Sequence, residues 1–467
     1  MSAQPVNFAP FEAKMRREGL EEIVIDNFRY YYTALVHGDT GLVPESQIQP
    51  VSALPNLEHL GAYEEAGRAA LARVAVLKLN GGLGTSMGLE RAKSVLVARE
   101  GLTFLDIIAR QNLADRALYG QTIPLIFMNS FNTDADTREV LARYPELACA
   151  VPQTMLQHKV PKVLQATLRP AVWPAEPELE WCPPGHGEVY VALATSGLLE
   201  QLLRHDYEYL FISNADNLGA TLDLTLLGFM AQHQIPFLME VASRTKADRK
   251  GGHLARRADG RLMLREVAQC PDEDLIHFQD IARHRYFNTN NIWVNLHRLK
   301  ELLEEGHNVI KLPLIRNRKT LDPRDPDSLP VYQLETAMGA AIEVFPDAQA
   351  VRVPRSRFVP VKTCADLLVL RSDVYRLDAN ARLRRHPDAL AVNPVVTLDK
   401  NYYTLIDDFE ARFPAPPSLM ACSALTVEGD VFFEPGSTFR GTVKVVNRSG
   451  AQRRLPPVTL VNEVREV

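Results

Sequence analysis

Short apolar runs alternate with longer amphipathic stretches over most of this chain. Apolar runs of strand length cover residues 74–79, 123–128, 209–213, 237–241 and 292–296. Stretches with helical spacing, each long enough to cross the face of a sheet, cover residues 102–118, 134–143, 188–204 and 222–233. This alternation predicts an α/β fold with helices on both faces of one sheet, over residues 71–375.

Other patterns flank and interrupt this region. Residues 11–36 interleave charged and apolar side chains, which predicts one or two amphipathic helices within an N-terminal helical segment, residues 1–70. Prolines exclude a continuous helix from residues 169–184 and 312–330, which we expect to be surface insertions. A third proline cluster, residues 412–418, is predicted to be a linker within a connecting segment, residues 376–418.

A six-residue repeat follows this linker. Two sets of mostly apolar residues recur every six positions: Val427, Phe433, Phe439 and Val445, and Leu425, Val431, Ser437 and Val443. Gly429, Pro435 and Gly441 recur with the same spacing at the expected corners. A six-residue period with turn residues in phase predicts a small left-handed parallel β-helix over residues 419–467. A plain β-meander is the alternative, because alternating Val and Phe residues also occur in meanders.

Composition narrows the class of protein. The chain of 467 residues has 52 Lys and Arg against 57 Asp and Glu, a balance too even for a nucleic-acid coat or a polybasic membrane binder. Its five cysteines are scattered, with no Cys-x-x-Cys pair, which indicates a reducing compartment without structural disulfides. No leader-like segment and no apolar run of about 18 residues occurs, so we expect a cytoplasmic protein that binds no membrane.

The strongest local signal is a glycine-rich loop after the first apolar strand. Residues 74–80 run into Gly81-Gly-Leu-Gly-Thr-Ser-Met-Gly88. Glycines let backbone amides approach phosphate oxygens closely. The loop lacks the Gly-Lys-Ser/Thr of a Walker loop, and its glycines miss the dinucleotide spacing Gly-x-Gly-x-x-Gly by one residue. A kinase-like NTPase and a nicotinamide dehydrogenase therefore both fit poorly.

The residues after the loop give it a more specific resemblance. Lys93 follows in Arg91-Ala-Lys-Ser94, and the loop with this lysine resembles the signature of sugar-nucleotide pyrophosphorylases. The version Leu79-Asn-Gly-Gly-Leu-Gly-Thr-Ser-Met-Gly88 resembles the UTP–glucose-1-phosphate uridylyltransferase family of the eukaryotic type. Further blocks resemble the same family in the same order: Met128-Asn-Ser-Phe-Asn-Thr-Asp134, Pro183-Pro-Gly-His-Gly187, Ser213-Asn-Ala-Asp-Asn-Leu-Gly-Ala220, Lys250-Gly-Gly252, Phe287-Asn-Thr-Asn-Asn-Ile-Trp293, Gln333-Leu-Glu-Thr-Ala337 and Val353-Pro-Arg-Ser-Arg-Phe-Val-Pro-Val-Lys362.

The resemblance implies a fold and a reaction. The fold is a Rossmann-like nucleotidyltransferase core with a mixed sheet, an N-terminal helical piece and a C-terminal left-handed β-helix. The reaction joins UTP and glucose 1-phosphate into UDP-glucose and pyrophosphate, with Mg²⁺ as cofactor. No nucleic acid or membrane partner is expected, and homo-oligomers through the C-terminal domain are possible in such a family. Two alternatives stay open: a pyrophosphorylase of broader sugar specificity, and a non-catalytic regulator that binds sugar nucleotides.

The resemblance also implies roles for particular residues. Lys93 and Lys362 would be the catalytic lysines that contact phosphates, and Asp216 would hold Mg²⁺. The nucleotide would be bound by Leu79, Asn80, Gly81, Gly82, Lys93, Gln157, Gly185 and Lys362. The substrate would also contact Gly81, Gly82, His186, Asn214, Ala215, Asp216, Gly251, Gly252, Glu266 and Asn290.

Each of the main assignments has a plainer alternative. Lys93 could be a solvated lysine at a helix start, Gln157 a surface side chain, and residues 216–219 a simple turn. The helix predicted to start near Glu188 would present backbone amides beside His186. Ala92 departs from the family, which has proline there, so the loop is expected to be less rigid. The presence of Lys93, Asp216 and Lys362 together argues against the regulator.

Overall fold

A computed structural model describes residues 7–245, 248–249 and 251–467. Its α-helices are α1 (Ala9–Arg17), α2 (Glu22–Val36), α3 (Glu64–Ala70), α4 (Phe104–Tyr119), α5 (Asp134–Leu141), α6 (Val189–Thr195), α7 (Leu198–Arg204), α8 (Leu224–Gln232), α9 (Leu275–Phe278), α10 (Leu296–Glu305), α11 (Cys364–Arg371), α12 (Lys400–Tyr403) and α13 (Ile406–Arg412). Within these residues, no helix combines the length and the apolar character needed to cross a membrane.

The strands fall into one large sheet and several small ones. They are β1 (Ile48–Pro50), β2 (Val74–Asn80), β3 (Val97–Arg99), β4 (Leu102–Thr103), β5 (Leu125–Asn129), β6 (Thr154–Leu156), β7 (Val160–Pro161), β8 (Val163–Leu164), β9 (Trp181–Cys182), β10 (Tyr209–Asn214), β11 (Phe237–Ser243), β12 (His253–Arg257), β13 (Leu262–Arg265), β14 (Tyr286–Asn295), β15 (Ile315–Thr320), β16 (Pro330–Glu335), β17 (Gln349–Arg352), β18 (Tyr375–Leu377), β19 (Leu383–Arg385), β20 (Val395–Leu398), β21 (Cys422–Glu428), β22 (Val431–Phe433), β23 (Thr438–Val446), β24 (Arg453–Leu455), β25 (Thr459–Val461) and β26 (Val464–Glu466).

The large sheet has ten strands and is mixed, as the family resemblance implies. Its parallel part runs β10-β2-β5-β6, and β14 lies antiparallel against both β10 and β11. All five predicted strands are present, but the last one is displaced: β14 ends at Asn295 and α10 begins at Leu296. The Asn295 side chain caps that helix by accepting a hydrogen bond from the Arg298 amide, and this cap ends the strand.

The predicted helices are confirmed except for one. The helix predicted over residues 188–204 is two helices, α6 and α7, because Gly197 between them adopts a left-handed backbone with φ of 67°. The N-terminal prediction holds, with α1 and α2 joined by an aromatic cluster of Phe8, Phe11, Phe28 and Tyr32. The proline-rich residues 312–330 are not helical; they include β15, which pairs with β16 in a small three-stranded sheet.

The strands from β20 onward pair in parallel. β20, β21 and β23 lie side by side, with β25 and β26 against β23, and β22 pairs with β24. The repeat residues Val427, Phe433, Phe439 and Val445 are all buried between these layers. Parallel pairing excludes the alternative of a plain meander, whose strands are antiparallel. One apolar core continues from the large sheet through α11 into these parallel strands, so no packing gap marks the predicted boundary at residue 419.

Candidate active site

The glycine-rich loop leaves the carboxyl end of β2 and closes on Lys93. The Gly82 carbonyl accepts a hydrogen bond from the Lys93 amide at 3.2 Å. The Leu79 carbonyl accepts one from the Ala215 amide at 3.0 Å, which joins the ends of β2 and β10. A Cβ added at Gly82 would meet no described atom within 4 Å. The loop backbone therefore faces open space at the edge of the sheet where ligands bind in α/β folds.

The buried side chain of Asn80 stabilises this loop through hydrogen bonds. Its buried side-chain amide donates to Asn129 Oδ1 at 2.9 Å and to Thr137 Oγ1 at 2.8 Å. Asn129 in turn donates to Asp134 Oδ1 at 2.9 Å. The block of residues 128–134 thus supports the loop, and the amide nitrogen of Asn80 is engaged within the protein.

Gln157 lies against the same loop. Its backbone amide donates to the Asn129 carbonyl at 2.8 Å, and a Cβ added at Gly81 would lie 2.8 Å from its Oε1 atom. The half-buried side chain therefore lies over the Gly81 backbone. Its role in binding the nucleotide stays a prediction.

Two lysines converge on Asp216, which follows β10. Lys93 Nζ donates to Asp216 Oδ2 at 2.9 Å, and Lys362 Nζ donates to the same oxygen at 3.1 Å. Lys93 also donates to the Val361 carbonyl, and its side chain is only 13% exposed, which rules out a solvated lysine. Burial acts to raise the pKa of Asp216, but the ammonium groups of Lys362 and Lys93 outweigh it and hold that pKa below its ordinary value.

The other oxygen of Asp216 offers a place for a cation. Asp216 Oδ1 is buried and has no hydrogen-bond partner in the described part of the chain. No group of three or more His, Cys, Asp or Glu side chains that could hold a metal occurs among these residues. A single carboxylate fits Mg²⁺, which keeps several waters and takes phosphate oxygens as its other ligands. It does not fit a zinc site, which needs three or four protein ligands.

Residues 216–219 form a turn that packs on the segment carrying Lys362. The Val361 amide donates to the Asp216 carbonyl at 3.1 Å. Asn217, fully buried, donates to the Arg357 carbonyl at 3.0 Å and accepts from the Val359 amide at 2.9 Å. Residues 216–219 are therefore a turn, as the plainer alternative predicts. This turn also brings the block at residues 213–220 into contact with the block that ends at Lys362.

His186 occupies a turn that packs against Thr336, the residue after strand β16. Gly185 has φ of 83°, and any Cβ there would collide with the backbone of Thr336. The Met338 amide donates to His186 Nδ1 at 3.0 Å. Burial and the Lys362 ammonium lower the pKa of His186 to about 4, so the ring is neutral at pH 7. Because Nδ1 accepts, the proton lies on Nε2, which is a hydrogen-bond donor.

The helix predicted to start near Glu188 is confirmed as α6, but the two amides that follow His186 are not free. Residues 186–188 form a 3₁₀ turn, and α6 begins only at Val189. The Gly187 amide already donates to the Thr336 carbonyl at 2.9 Å, and the Glu188 amide donates to the Gly185 carbonyl at 3.3 Å. These amides are thus used inside the protein.

The predicted sugar residues lie on neighbouring strands beside the Asp216 turn. A Cβ at Gly252 would lie 2.5 Å from Glu266 Oε2, so the two residues are in contact across the β12–β13 hairpin. The Gly252 carbonyl accepts from the Asn288 amide at 3.1 Å, and Asn288 Nδ2 donates to Asn290 Oδ1 at 2.7 Å. Burial raises the pKa of Glu266 to about 7.

A bulge and two flanking residues complete this group. Asn290 has φ of 57° where the register of β14 against β11 shifts, and a bulge of this kind re-aims a side chain. Asn214 is half-buried at the end of β10, and Gly251 donates to the Asp248 carbonyl at 3.0 Å. Lys250 of the predicted block lies outside the described residues.

Sequence reasoning missed a buried polar network behind the site. Glu240 Oε1 and Oε2 accept hydrogen bonds from Arg357, both at 2.6 Å, and from Trp293 and Asn291 at 2.9 and 3.0 Å. Lys78 is also buried; it donates to Ser213 Oγ and to the Ala220 carbonyl, both at 2.7 Å. Burial, with Arg357 nearby, lowers the pKa of Lys78 to about 7. Glu240 and Lys78 are each a single charged residue within an otherwise apolar strand, and this pattern could have identified them from the sequence.

Comparisons with known proteins agree over almost the whole chain. The family described as UTP--glucose-1-phosphate uridylyltransferase matches residues 25–440. The protein of that name from Saccharomyces cerevisiae is 42% identical over 395 residues, 84% of this chain and 78% of the yeast protein. The one from Solanum tuberosum is 39% identical over 420 residues, 90% of this chain and 84% of the potato protein.

Solved structures give the same result. A variant of Leishmania major UDP-glucose pyrophosphorylase, in complex with UDP-glucose, superposes with a TM-score of 0.94 at 42% identity. It covers 99% of this chain and 100% of the Leishmania chain. A Trypanosoma brucei UDP-glucose phosphorylase superposes with a TM-score of 0.90 at 44% identity, over 98% of this chain and 99% of that chain.

Proposed function

The chain belongs to the UTP–glucose-1-phosphate uridylyltransferase family, and from this premise we propose how its cleft makes UDP-glucose and pyrophosphate from UTP and glucose 1-phosphate. The observation that carries the proposal is the meeting of Lys93 and Lys362 on Asp216, beside the glycine-rich loop. The three residues come from separate blocks of the sequence, and they meet at the carboxyl end of the central parallel strands.

The reaction needs positioned positive charge and no protein nucleophile. An oxygen of the sugar phosphate attacks the α-phosphorus of UTP in line, a new P–O bond forms, and the bond to the leaving pyrophosphate breaks. Negative charge grows on the α-phosphoryl oxygens and on the leaving group as this happens. Lys93 and Lys362, whose ammonium groups meet at Asp216, would stabilise that charge.

Asp216 Oδ1 would hold Mg²⁺ together with phosphate oxygens and water. The metal, when bound, supplies further neutralisation of phosphate charge. Asp216 itself is charged at neutral pH, because the two lysines hold its pKa low. It therefore keeps the two ammonium groups in the cleft before the substrate arrives.

The nucleotide would lie over the loop formed by Leu79, Asn80, Gly81 and Gly82. Gln157 covers Gly81, and its amide has both a donor and an acceptor with which to recognise the edge of uracil. Gly185, fixed against Thr336, would contact the base from the other side. The open space above Gly82 leaves its backbone accessible to phosphate oxygens.

The sugar phosphate would lie between the Asp216 turn and the β12–β13 hairpin. Glu266, with Asn290 and the backbone of Gly251 and Gly252, would bind the sugar hydroxyls. The neutral His186 would donate its Nε2 proton in a hydrogen bond to the sugar phosphate. Asn214 and Ala215, at the end of β10, would line the floor of this subsite.

The finer organisation of the chain belongs to the same proposal. Residues 71–375 would be a Rossmann-like catalytic domain, between a helical segment (1–70) and a connecting segment (376–418). Residues 419–467 would be a left-handed β-helix, which the parallel pairing of β21, β23, β25 and β26 supports. Its last coil would mediate any homo-oligomer, which sedimentation of the full chain and of full-length variants with the exposed Val461 and Val464 changed to Asp would test.

Pyrophosphate release tests the reaction directly. The assay contains Mg²⁺ and UTP with glucose 1-phosphate, galactose 1-phosphate or N-acetylglucosamine 1-phosphate, and ATP or dTTP replaces UTP as a control. The proposal predicts strong release only with UTP and glucose 1-phosphate. Comparable release with the other sugars would establish the broader specificity, and UTP binding without release would establish the regulator.

A further inference from the structure

A buried ion cluster lies directly behind the predicted sugar subsite. Its centre is the carboxylate of Glu45, which accepts hydrogen bonds from Arg265 at 2.7 Å, Arg283 at 2.6 Å and His284 at 3.0 Å. Asp274 Oδ2 lies 3.3 Å from Arg265 and accepts the Glu45 amide at 2.6 Å. Glu45, Arg265 and His284 are all buried. The reaction described above uses none of these side chains.

The cluster holds the cleft end of the β12–β13 hairpin. Arg265 is the last residue of β13 and precedes Glu266; His253 is the first residue of β12 and follows Gly252. Arg265 and His253 are paired across the hairpin. The His253 ring also stacks on the His284 ring, with 3.8 Å between ring centroids. Glu45 therefore contacts β13 directly through Arg265 and β12 indirectly through His284 and His253. Arg265 and His253 are each one residue away from the contact between Gly252 and Glu266.

We propose that Glu45 is a positioning residue for glucose 1-phosphate: it fixes Arg265 and His284, and through them it sets where Glu266 meets the sugar. This inference rests on the proposed function, because it takes the sugar role of Glu266 from it. Glu45 comes from the N-terminal segment, outside the residues assigned to substrate. That segment would thus contribute to sugar recognition without touching the sugar.

The physical reason is the cost of a buried charge without its partner. Arg265 is fully buried, and Glu45 is the carboxylate that contacts it most closely. If that carboxylate is lost, the guanidinium must move toward water or toward Asp274, and it carries the end of β13 with it. Displacing a substrate-orienting group by about 1 Å costs up to about 10²-fold in activity. The substitution should weaken binding of the sugar phosphate more than binding of the nucleotide, because the nucleotide loop follows a different strand.

The hairpin offers a matched control at its other end. Arg257, the last residue of β12, pairs with the largely buried Glu343 at 2.8 Å. Glu343→Gln therefore removes an ion pair from the same hairpin, four residues along β12 from His253. Glu45→Gln and Glu343→Gln make the same chemical change, but only the first is next to Gly252 and Glu266.

The experiment compares KM values and ligand dissociation constants in the full chain. For Glu45→Gln we expect the KM for glucose 1-phosphate and the Kd for UDP-glucose to rise at least about fivefold, with the KM and Kd for UTP changed less than about twofold. Glu343→Gln should change neither pair of constants. In the double variant Glu45→Gln/Glu266→Gln, the two effects should be less than multiplicative.

Several outcomes would overturn the inference. An unchanged KM for glucose 1-phosphate in Glu45→Gln would do so, as would equal rises for both substrates or the same rise in Glu343→Gln. If Glu45→Gln does not fold, Arg283→Gln, whose side chain is partly exposed, removes one partner of Glu45 and should show the same selectivity in weaker form. A wild-type chain inactive with UTP and glucose 1-phosphate would instead refute the proposed function itself.

Discussion

Lys93 and Lys362 donate hydrogen bonds to the same oxygen of Asp216, at 2.9 and 3.1 Å. One lysine lies in the loop after β2 and is nearly buried, whereas the other precedes α11 with its side chain 58% exposed. One carboxylate thus balances two ammonium groups in the absence of substrate. We propose that entering phosphates replace this carboxylate as the partner of both lysines, which would make the site preorganised.

Asp216→Asn should weaken the apparent affinity for Mg²⁺. The amide keeps the shape of the side chain but removes the charge that we assign to Mg²⁺. We expect the Mg²⁺ concentration for half-maximal pyrophosphate release to rise at least about tenfold, with a lower kcat. Asp399→Asn is the control, since Asp399 caps α12 and lies outside the site. An unchanged Mg²⁺ titration would remove Asp216 as the metal ligand.

Sugar binding should depend on pH through Glu266. Because burial raises its pKa to about 7, the carboxylate form increases as pH rises from 6 to 8. The charged form accepts hydrogen bonds from hydroxyls more strongly, so wild-type affinity for glucose 1-phosphate should increase with pH. The ratio of KM in Glu266→Gln to KM in wild type should therefore rise, by about tenfold at most, between pH 6 and 8.

The ratio matters because titration of the substrate phosphate is common to both proteins and cancels. A ratio that stays constant over this range would show that Glu266 does not titrate there or does not touch the sugar. Measurement at saturating UTP keeps the nucleotide out of the comparison.

Glu240→Gln should destabilise the fold. Glu240 and Arg357 form a buried ion pair, and the substitution leaves the guanidinium with only Asp223, 3.5 Å away, as a counter-charge. Breaking such a pair costs about 3–5 kcal/mol of unfolding free energy, measurable by urea denaturation. Glu139→Gln, which removes the exposed pair with Arg91, should cost about 1 kcal/mol or less. Equal effects of the two substitutions would contradict the role given to the buried network.

The sequence predicts the strands better than their arrangement. Apolar runs identify β2, β5, β10 and β11 because a strand buried on both faces is apolar throughout. Such a run carries no direction, so the antiparallel course of β14 comes only from the structure. The break between α6 and α7 depends on the conformation of Gly197, which an apolar pattern does not register.

The candidate site divides in the same way. Lys93 and Asp216 could be predicted, because each follows a strand and lies near glycine or turn residues that are typical of a ligand-binding loop. Asn80 was assigned to the nucleotide, yet the nitrogen of its side chain braces the loop. Glu45 could not be found from sequence, because charged residues are usually solvated and its partner Arg265 is distant along the chain. Long-range ion pairs of this kind require the fold.

The rate of a single turnover with UTP and glucose 1-phosphate, at saturating substrates, tests the central claim most directly. If Lys93 and Lys362 stabilise the reacting phosphates, Lys93→Ala and Lys362→Ala should each slow formation of UDP-glucose at least about tenfold in folded protein. Lys300→Ala, which removes an exposed lysine paired with Glu200, should leave the rate unchanged. A rate near that of wild type in either of the first two variants would contradict the account.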